Sequence, residues 1–438
     1  MENIPKKEKL SFALAGLGQN MIYNFSSAYI IIFYTDFLKL LPTAVGTLML
    51  VARVWDAIND PIMGSIVDKT QTRFGKLRPY LLAVPIPMIV FTILTFTAFD
   101  MSYTLRLFYA YTTYIIWGMI YTISDVPYWG LSAAISNDPK ERLSVISLAR
   151  IFSNIGLAIA IVVPPIIIAA FDGAKTGYTI GAIVMSVVGG TLFFLAFFNT
   201  KERVVSTSSN QSMLKNLSLL KHNKPLLYLQ ISRIFGSLRM GLAAAGTYFA
   251  KYNLGNELYF SLLGGILIVS MIGAITITPI LTRKFSKKQL YQYSLLLGVI
   301  AHTLMFVLGY NNLVILFVLL FFAGFSMGVN DVIMYSMVTD SIDYLQSQTH
   351  HRLEGLSFSF HTFTTKLQTA ISAFIIGIVL QVFGFAENVA QSDRSLFGIF
   401  LLLSLLPAIS SLISMIPMRK YELSEQLHQE ALEDIKNL

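Results

Sequence analysis

Twelve times along its length the chain runs through roughly twenty or more mostly apolar residues, and this repetition limits the fold more than any other feature. The runs fall at 11–36, 41–66, 79–99, 105–133, 143–170, 177–199, 225–252, 258–281, 289–309, 312–341, 355–384 and 393–417. In hydrocarbon every backbone N–H and C=O must be paired within the protein, so runs of this length read as helices. Barrel strands would be shorter and would alternate. Charged residues make up only 13% of the chain, against about 25% in a soluble domain. The expectation is an all-α membrane protein with twelve transmembrane helices embedded in a lipid bilayer. With no cysteine in the sequence, disulfides, thiolate metal sites and cysteine nucleophiles are excluded. The polar, basic start MENIPKKEKL precedes a first run that holds Gln19, Asn20 and Asn24 and lacks a small-residue cleavage site. It reads as a retained helix rather than a signal peptide.

Lysine and arginine set the orientation. One set of loops carries clusters, such as Lys69, Arg73, Lys76 and Arg78, or Arg283, Lys284, Lys287 and Lys288. The opposite loops hold mostly single bases: Lys39, Arg106, Lys175, Lys251 and Arg394. Both termini are therefore expected in the cytoplasm. The formal charge of +8 is accounted for by this topology, and no nucleic-acid partner is expected. The longest hydrophilic interruption, 200–224, divides six runs from six. The predicted organisation is a six-helix bundle over 1–199, a cytoplasmic loop over 200–224, a second six-helix bundle over 225–417 and a cytoplasmic tail over 418–438. The halves echo one another: SDVPYWGLSAAISNDPKER in run four, NDVIMYSMVTDSIDYLQSQTHHR in run ten. Two pseudo-symmetric bundles are the arrangement of major facilitator transporters. In the tail, Leu423, Leu427, Ala431 and Ile435 lie four apart, which predicts a short amphipathic helix.

An ionisable side chain at mid-membrane costs about 2.5–3.5 kcal/mol on insertion scales, so it persists where it is paired or used. In run two, Arg53, Asp56 and Asp60 share one helical face, with Asn59 beside them. Two carboxylates one turn apart repel unless a cation lies between them, and a Na⁺ ion or a shared proton would serve. A static pair of one aspartate with Arg53 fits the same spacing. Run four places Tyr121, Thr122, Asp125 and Trp129 on broadly one face, loosened at Pro127. A carboxylate accepts sugar hydroxyls and an indole stacks on a sugar ring; a kinked packing helix with an interfacial tryptophan has the same pattern. Run five adds Arg150, and run eleven adds Thr362 and Lys366 one turn apart, next to His361, which reads as a satisfied core residue.

RVWDAINDPIMG, DKTQTRFGKLRPY and YTISDVPYW together resemble the glycoside–pentoside–hexuronide:cation symporters, most of all the melibiose permeases. The likeness extends from FYTDFL in run one to ENVAQS before run twelve. It implies a monomeric major facilitator protein of the cell (inner) membrane that imports a small sugar or glycoside with Na⁺, Li⁺ or H⁺, and has no other cofactor. The implied cation site is Asp56 and Asp60, with Asn59 and Thr122 as oxygen donors. The implied sugar residues are Asp125, Trp129, Arg150 and Lys366; Thr362, one turn from Lys366, and Asn20, in place of the permeases' aspartate, are expected beside them. Arg73, Lys76, Asp340, Asp343 and Arg352 fall on segments that would gate the inner side. The chain departs from the permeases at Gln19 and Asn20, where they carry a lysine–aspartate pair, and at His361, where a glutamine is usual. Competing readings are a proton-coupled pentoside or hexuronide symporter, a non-transporting sugar sensor and a lipid transporter of the same fold. No GxSxG, HExxH or P-loop pattern supports an enzyme.

Overall fold

The computed structural model of the chain describes residues 4–171, 175–204, 218–240, 245–246, 248–256, 258–386 and 389–436. Helices account for nearly all of them: α1 Lys6–Asp36, α2 Pro42–Lys69, α3 Arg78–Ala83, α4 Pro85–Thr95, α5 Tyr103–Ala134, α6 Pro139–Ala170 and α7 Lys175–Asn199. There follow α8 Lys224–Phe235, α9 Leu258–Leu281, α10 Lys287–Leu308, α11 Leu313–Thr349, α12 Glu354–Val382, α13 Asp393–Leu403, α14 Leu405–Met418 and α15 Glu425–Lys436. The β-structure among the described residues is a single bridge, Thr72 to Gly75, which closes the turn between α2 and α3; Gly75 takes φ +105° there.

Every predicted run is mostly helical where it is described, and among the described residues seven helices, with α13 and α14 counted as one, are long and apolar enough to cross a membrane by length and composition. The other five runs fall short for two physical reasons. Helices α1, α2 and α5 are 31, 28 and 32 residues long, but their hydropathy is diluted by polar residues along them. Run three is broken at Val84, ahead of Pro85, and run seven at Gly236, where α8 gives way to a 3-10 turn over Ser237–Met240. A later π-turn over Phe249–Asn253 belongs to run seven too. Of the expected loop 200–224, residues 205–217 lie outside the described ones.

The helices group into two compact units. The first comprises the chain up to Leu220 together with Thr349–Phe363. The second comprises Lys221–Gln348 and the chain from Thr364 onward. Helix α12 therefore begins in the first unit and continues into the second. Within the first unit, Gly18 of α1 and Gly189 of α7 bring two backbones into contact, and Gly156 of α6 lies against Leu17. Small residues permit this closeness, and it fixes α1 at the level of Gln19 and Asn20. An aromatic and aliphatic core that includes Phe25, Phe33, Phe96 and Trp117 fills the rest of that unit. Phe249, Met305, Leu316 and Phe400 anchor the core of the second. Large apolar side chains such as Phe108, Ile166, Val269, Val314 and Phe374 remain exposed, as a hydrocarbon solvent permits.

Candidate functional site

Helices α2 and α5 pair their polar residues at a constant offset. Asp56 Oδ1 lies 3.7 Å from the position a Cβ would take on Gly118, and one turn further on Thr122 Oγ1 donates to Asp60 Oδ1 at 2.8 Å. The missing side chain at Gly118 leaves space beside Asp56. Asp60 is fully buried, Asn59 is buried with an amide nitrogen that has no partner, and Asp56 is half-buried. Arg53 Nη1 reaches Asp56 Oδ2 at 3.4 Å, so the static pair allowed by the spacing is present. It is long, and the Arg53 side chain is 45% exposed, so the contact is weak. Two carboxylates, a hydroxyl and an amide on neighbouring turns are the hard oxygen donors a Na⁺ ion takes; they could equally share a proton.

One turn from Thr122, Asp125 faces α1 and the start of α12. Its Oδ1 accepts from Gln19 Nε2 at 3.3 Å and its Oδ2 from Thr362 Oγ1 at 2.9 Å. Gln19 Nε2 donates to Ser124 Oγ as well, at 2.9 Å. The Arg150 guanidinium lies 5.4 Å from the centroid of the Trp129 ring, and Tyr128 meets that ring edge-on at 5.0 Å. Asp125, Trp129, Arg150 and Thr362 are thus gathered in the first unit. Asn20 is not aimed with them: its amide donates to Gly16 O at 3.0 Å, on its own helix. Lys366 is half-buried on the stretch of α12 that belongs to the second unit. His361 is buried, edge-on to Phe358.

A third cluster gathers at the turn after α2 and the start of α12. Asp68 accepts from the backbone N–H groups of Gly355 and Leu356 at 3.0 and 2.8 Å, capping α12 from the end of α2. Lys76 Nζ lies 2.7 Å from Asp68 Oδ1 and 3.4 Å from Glu354 Oε2, and Arg352 Nε donates to Glu354 Oε1 at 2.5 Å. Arg352 also reaches Ala133 O at 3.1 Å. All four side chains are buried. Burial works against the Lys76 ammonium, but Asp68 and Glu354 outweigh it and hold the group above the ordinary lysine range. Glycines make room for this junction, with Gly64 of α2 against Gly355 of α12. Glu202 accepts from the backbone N–H groups of Lys76, Leu77 and Arg78, each at 2.9 Å, and fixes the turn. Arg73 is exposed over the Phe74 ring at 4.7 Å.

In the second unit, Asp340 Oδ2 lies 2.5 Å from Lys287 Nζ, and Asp343 Oδ2 lies 2.9 Å from His428 Nε2 of the tail helix. His428 Nδ1 is 3.7 Å from Asp340. Asp340, Asp343 and His428 are also the one group among the described residues with ligand atoms close enough, within 4.8 Å, to hold a metal ion. The Lys287 ammonium already supplies countercharge there, so the arrangement acts as a clasp between α11 and α15.

The sequence reading missed several of these contributors. Gln19 and not Asn20 reaches Asp125. Asp68 and Glu354, not singled out as functional, partner the basic turn. His428 carried no signal beyond its place on an amphipathic tail.

Comparison with known proteins agrees with the fold and with the class of cargo. The chain matches the family described as MFS/sugar transport protein over residues 11–425. It is 29% identical to an isoprimeverose transporter of Lactiplantibacillus pentosus, covering 99% of this chain and 92% of the relative. Identity to a glucuronide carrier protein homolog of Escherichia coli is 27%, over 98% of this chain and 95% of the other. An uncharacterized symporter of Bacillus subtilis, YnaJ, is 32% identical over the full chain and 96% of its own length. Among solved structures, a bacterial homologue of the iron transporter ferroportin in an outward-facing state superposes with a TM-score of 0.68 at 13% identity, over 94% of this chain and 99% of that one. The E. coli fucose:proton symporter gives the same score at 12% identity, over 95% and 98%; at these identities the likeness speaks for the fold alone. With its twelve-helix major facilitator fold, the chain belongs to the MFS/sugar transport protein family and is a sugar symporter.

Proposed function

We propose that the chain is a cation:glycoside symporter that imports a small sugar or glycoside with galactoside-like requirements by alternating access. The driving ion is Na⁺, with H⁺ or Li⁺ able to take the same position. The observation that carries this reading is the polar register between α2 and α5: Asp60 fully buried and bonded to Thr122, Asp56 one turn away, and Asn59 buried beside Asp60. Asp125 and Trp129 follow one and two turns after Thr122 on the same helix, so movement of a bound cation would be felt by the sugar residues. Arg73, Lys76, Asp340, Asp343 and Arg352 act on the inner side, Lys366 completes the sugar contacts, and the protein works as a monomer in the inner membrane with both termini in the cytoplasm.

A second reading is a proton-coupled pentoside or hexuronide symporter. It is favoured by Asn20, which lacks the permeases' carboxylate and is turned onto Gly16, and by the named substrates of two relatives. Counterflow in proteoliposomes separates the two. Vesicles preloaded with one unlabelled glycoside should take up labelled galactoside faster with Na⁺ outside than with choline. Preference for pentosides or uronides, with stimulation by acid and none by Na⁺, would establish the second reading. Binding without counterflow of any member would mark a sensor.

A further inference from the structure

Gln19 presents an unusual combination. Its side chain is 3% exposed, its nitrogen donates to both Ser124 and Asp125, and its carbonyl oxygen is buried with no partner. A buried amide oxygen without a donor is unfavourable, and native proteins tolerate few of them. Beside it, Gln19 and Ser124 border a small apolar cavity with Ile22, Val84, Met88 and Phe193. Asp125, meanwhile, receives neutral donors on both of its oxygens, at 3.3 Å from Gln19 and 2.9 Å from Thr362. The longer bond is the easier one to exchange.

We propose that Gln19 is the specificity-determining residue of the sugar site, acting as a donor–acceptor pair that selects the hydroxyl arrangement of the substrate. One sugar hydroxyl replaces the Gln19 amide as donor to Asp125 Oδ1, and the carbonyl of Gln19 accepts a hydroxyl donor in turn. The exchange conserves hydrogen bonds only for a sugar with two hydroxyls spaced to reach both Asp125 and Gln19. A sugar lacking either leaves a buried acceptor unsatisfied, and missing bonds of this kind discriminate more strongly than lost apolar contact. The idea rests on the symporter reading above and extends it. It assigns the role to Gln19, while Asn20 is held on its own helix.

The test pairs variants with altered sugars. Binding of methyl galactosides, glucosides and xylosides, each with its singly deoxygenated analogues, is measured to purified wild type and to Gln19→Met, which keeps the length of the side chain without its polar groups. Wild type should lose about tenfold in affinity on removal of one particular hydroxyl, the effect of one neutral hydrogen bond. Gln19→Met should bind that deoxy sugar and its parent alike and should reorder the panel. A uniform loss across the panel, with the order of sugars and the deoxy penalty unchanged, would reduce Gln19 to a structural role. Gln19→Asn, which shortens the amide and preserves its chemistry, provides the same readout if the methionine variant does not fold. Failure of wild type to bind any sugar would overturn the symporter reading itself, an outcome distinct from a fixed order.

Discussion

Replacing Lys76 with methionine removes the ammonium that neutralises two buried carboxylates and keeps most of the side chain's length. Lys76 Nζ lies 2.7 Å from Asp68 and 3.4 Å from Glu354, with all three side chains buried. Removing one member of a buried ion pair costs about 3–5 kcal/mol, because the charge left behind remains desolvated. Here the lower end applies. Arg352 still holds Glu354, and two backbone N–H groups still hold Asp68. A penalty of ~3 kcal/mol shifts a conformational equilibrium by about a hundredfold away from the state in which α12 starts against α2. Because the natural sequence has no cysteine, the shift can be read by labelling a single introduced thiol. Ser357→Cys suits this, since Ser357 is fully buried on α12 near the cluster. Its reaction with a maleimide added from the cytoplasmic side should quicken by about two decades in the Lys76→Met background. Lys69→Ala, at an exposed position, should leave the rate as it was. An unchanged rate in a folded Lys76→Met protein would refute the argument that this cluster holds the inner end closed.

Above neutrality the Lys76 contribution should be insensitive to pH: Lys76 is held above its ordinary value, so its contribution is complete below the unfolded lysine pKa and is lost only as pH rises through the higher folded value. Labelling of Ser357→Cys, corrected for thiol ionisation, should therefore stay flat from about pH 7.5 to about pH 9, and a rise within that window would contradict it. Asp60→Asn removes one of the two cation-site carboxylates while sparing Asp125. Sugar binding should persist within a few-fold as Na⁺-driven accumulation collapses, and normal accumulation would remove Asp60 from the cation site. Asn20→Asp loses the amide that donates to Gly16 and introduces an acceptor; if the freed carboxylate turns to the sugar, the ranking of glycosides should move toward α-galactosides by about one decade. A fixed ranking would place Asn20 outside the sugar contacts.

Much of the fold could be read from the sequence because membrane helices obey a simple constraint. Length and hydropathy locate each run, and lipid leaves the backbone no alternative to helix. The polar cluster of α2 was readable for a related reason: Asp56, Asn59 and Asp60 share one helix, so spacing alone places them together. Contacts between helices were harder. Nothing in the order of residues says that Gln19 rather than its neighbour Asn20 turns toward Asp125, since that depends on how α1 is rotated where Gly18 meets Gly189. Likewise Arg73 and Lys76 of the basic turn were grouped with Asp340, Asp343 and Arg352 as parts of one gate. Lys76 instead meets Asp68, eight positions away, and Glu354, brought in by the Gly64–Gly355 approach. His428 in the tail could be read as amphipathic, yet its carboxylate partners lie on another helix and were beyond the reach of periodicity.

The central claim is that one sugar crosses together with a positive charge. If a single cation accompanies a neutral glycoside, the membrane potential contributes ~2.3 kcal/mol per 100 mV, so each ~60 mV multiplies the accumulation ratio by about ten. Proteoliposomes with equal cation concentrations on both sides and a potassium diffusion potential, interior negative, isolate that term. Labelled glycoside should accumulate inside by about one decade for each ~60 mV imposed, and neither Asp56→Asn nor Asp60→Asn should show this dependence. Uptake that only equilibrates, at every potential, would contradict cation-coupled symport.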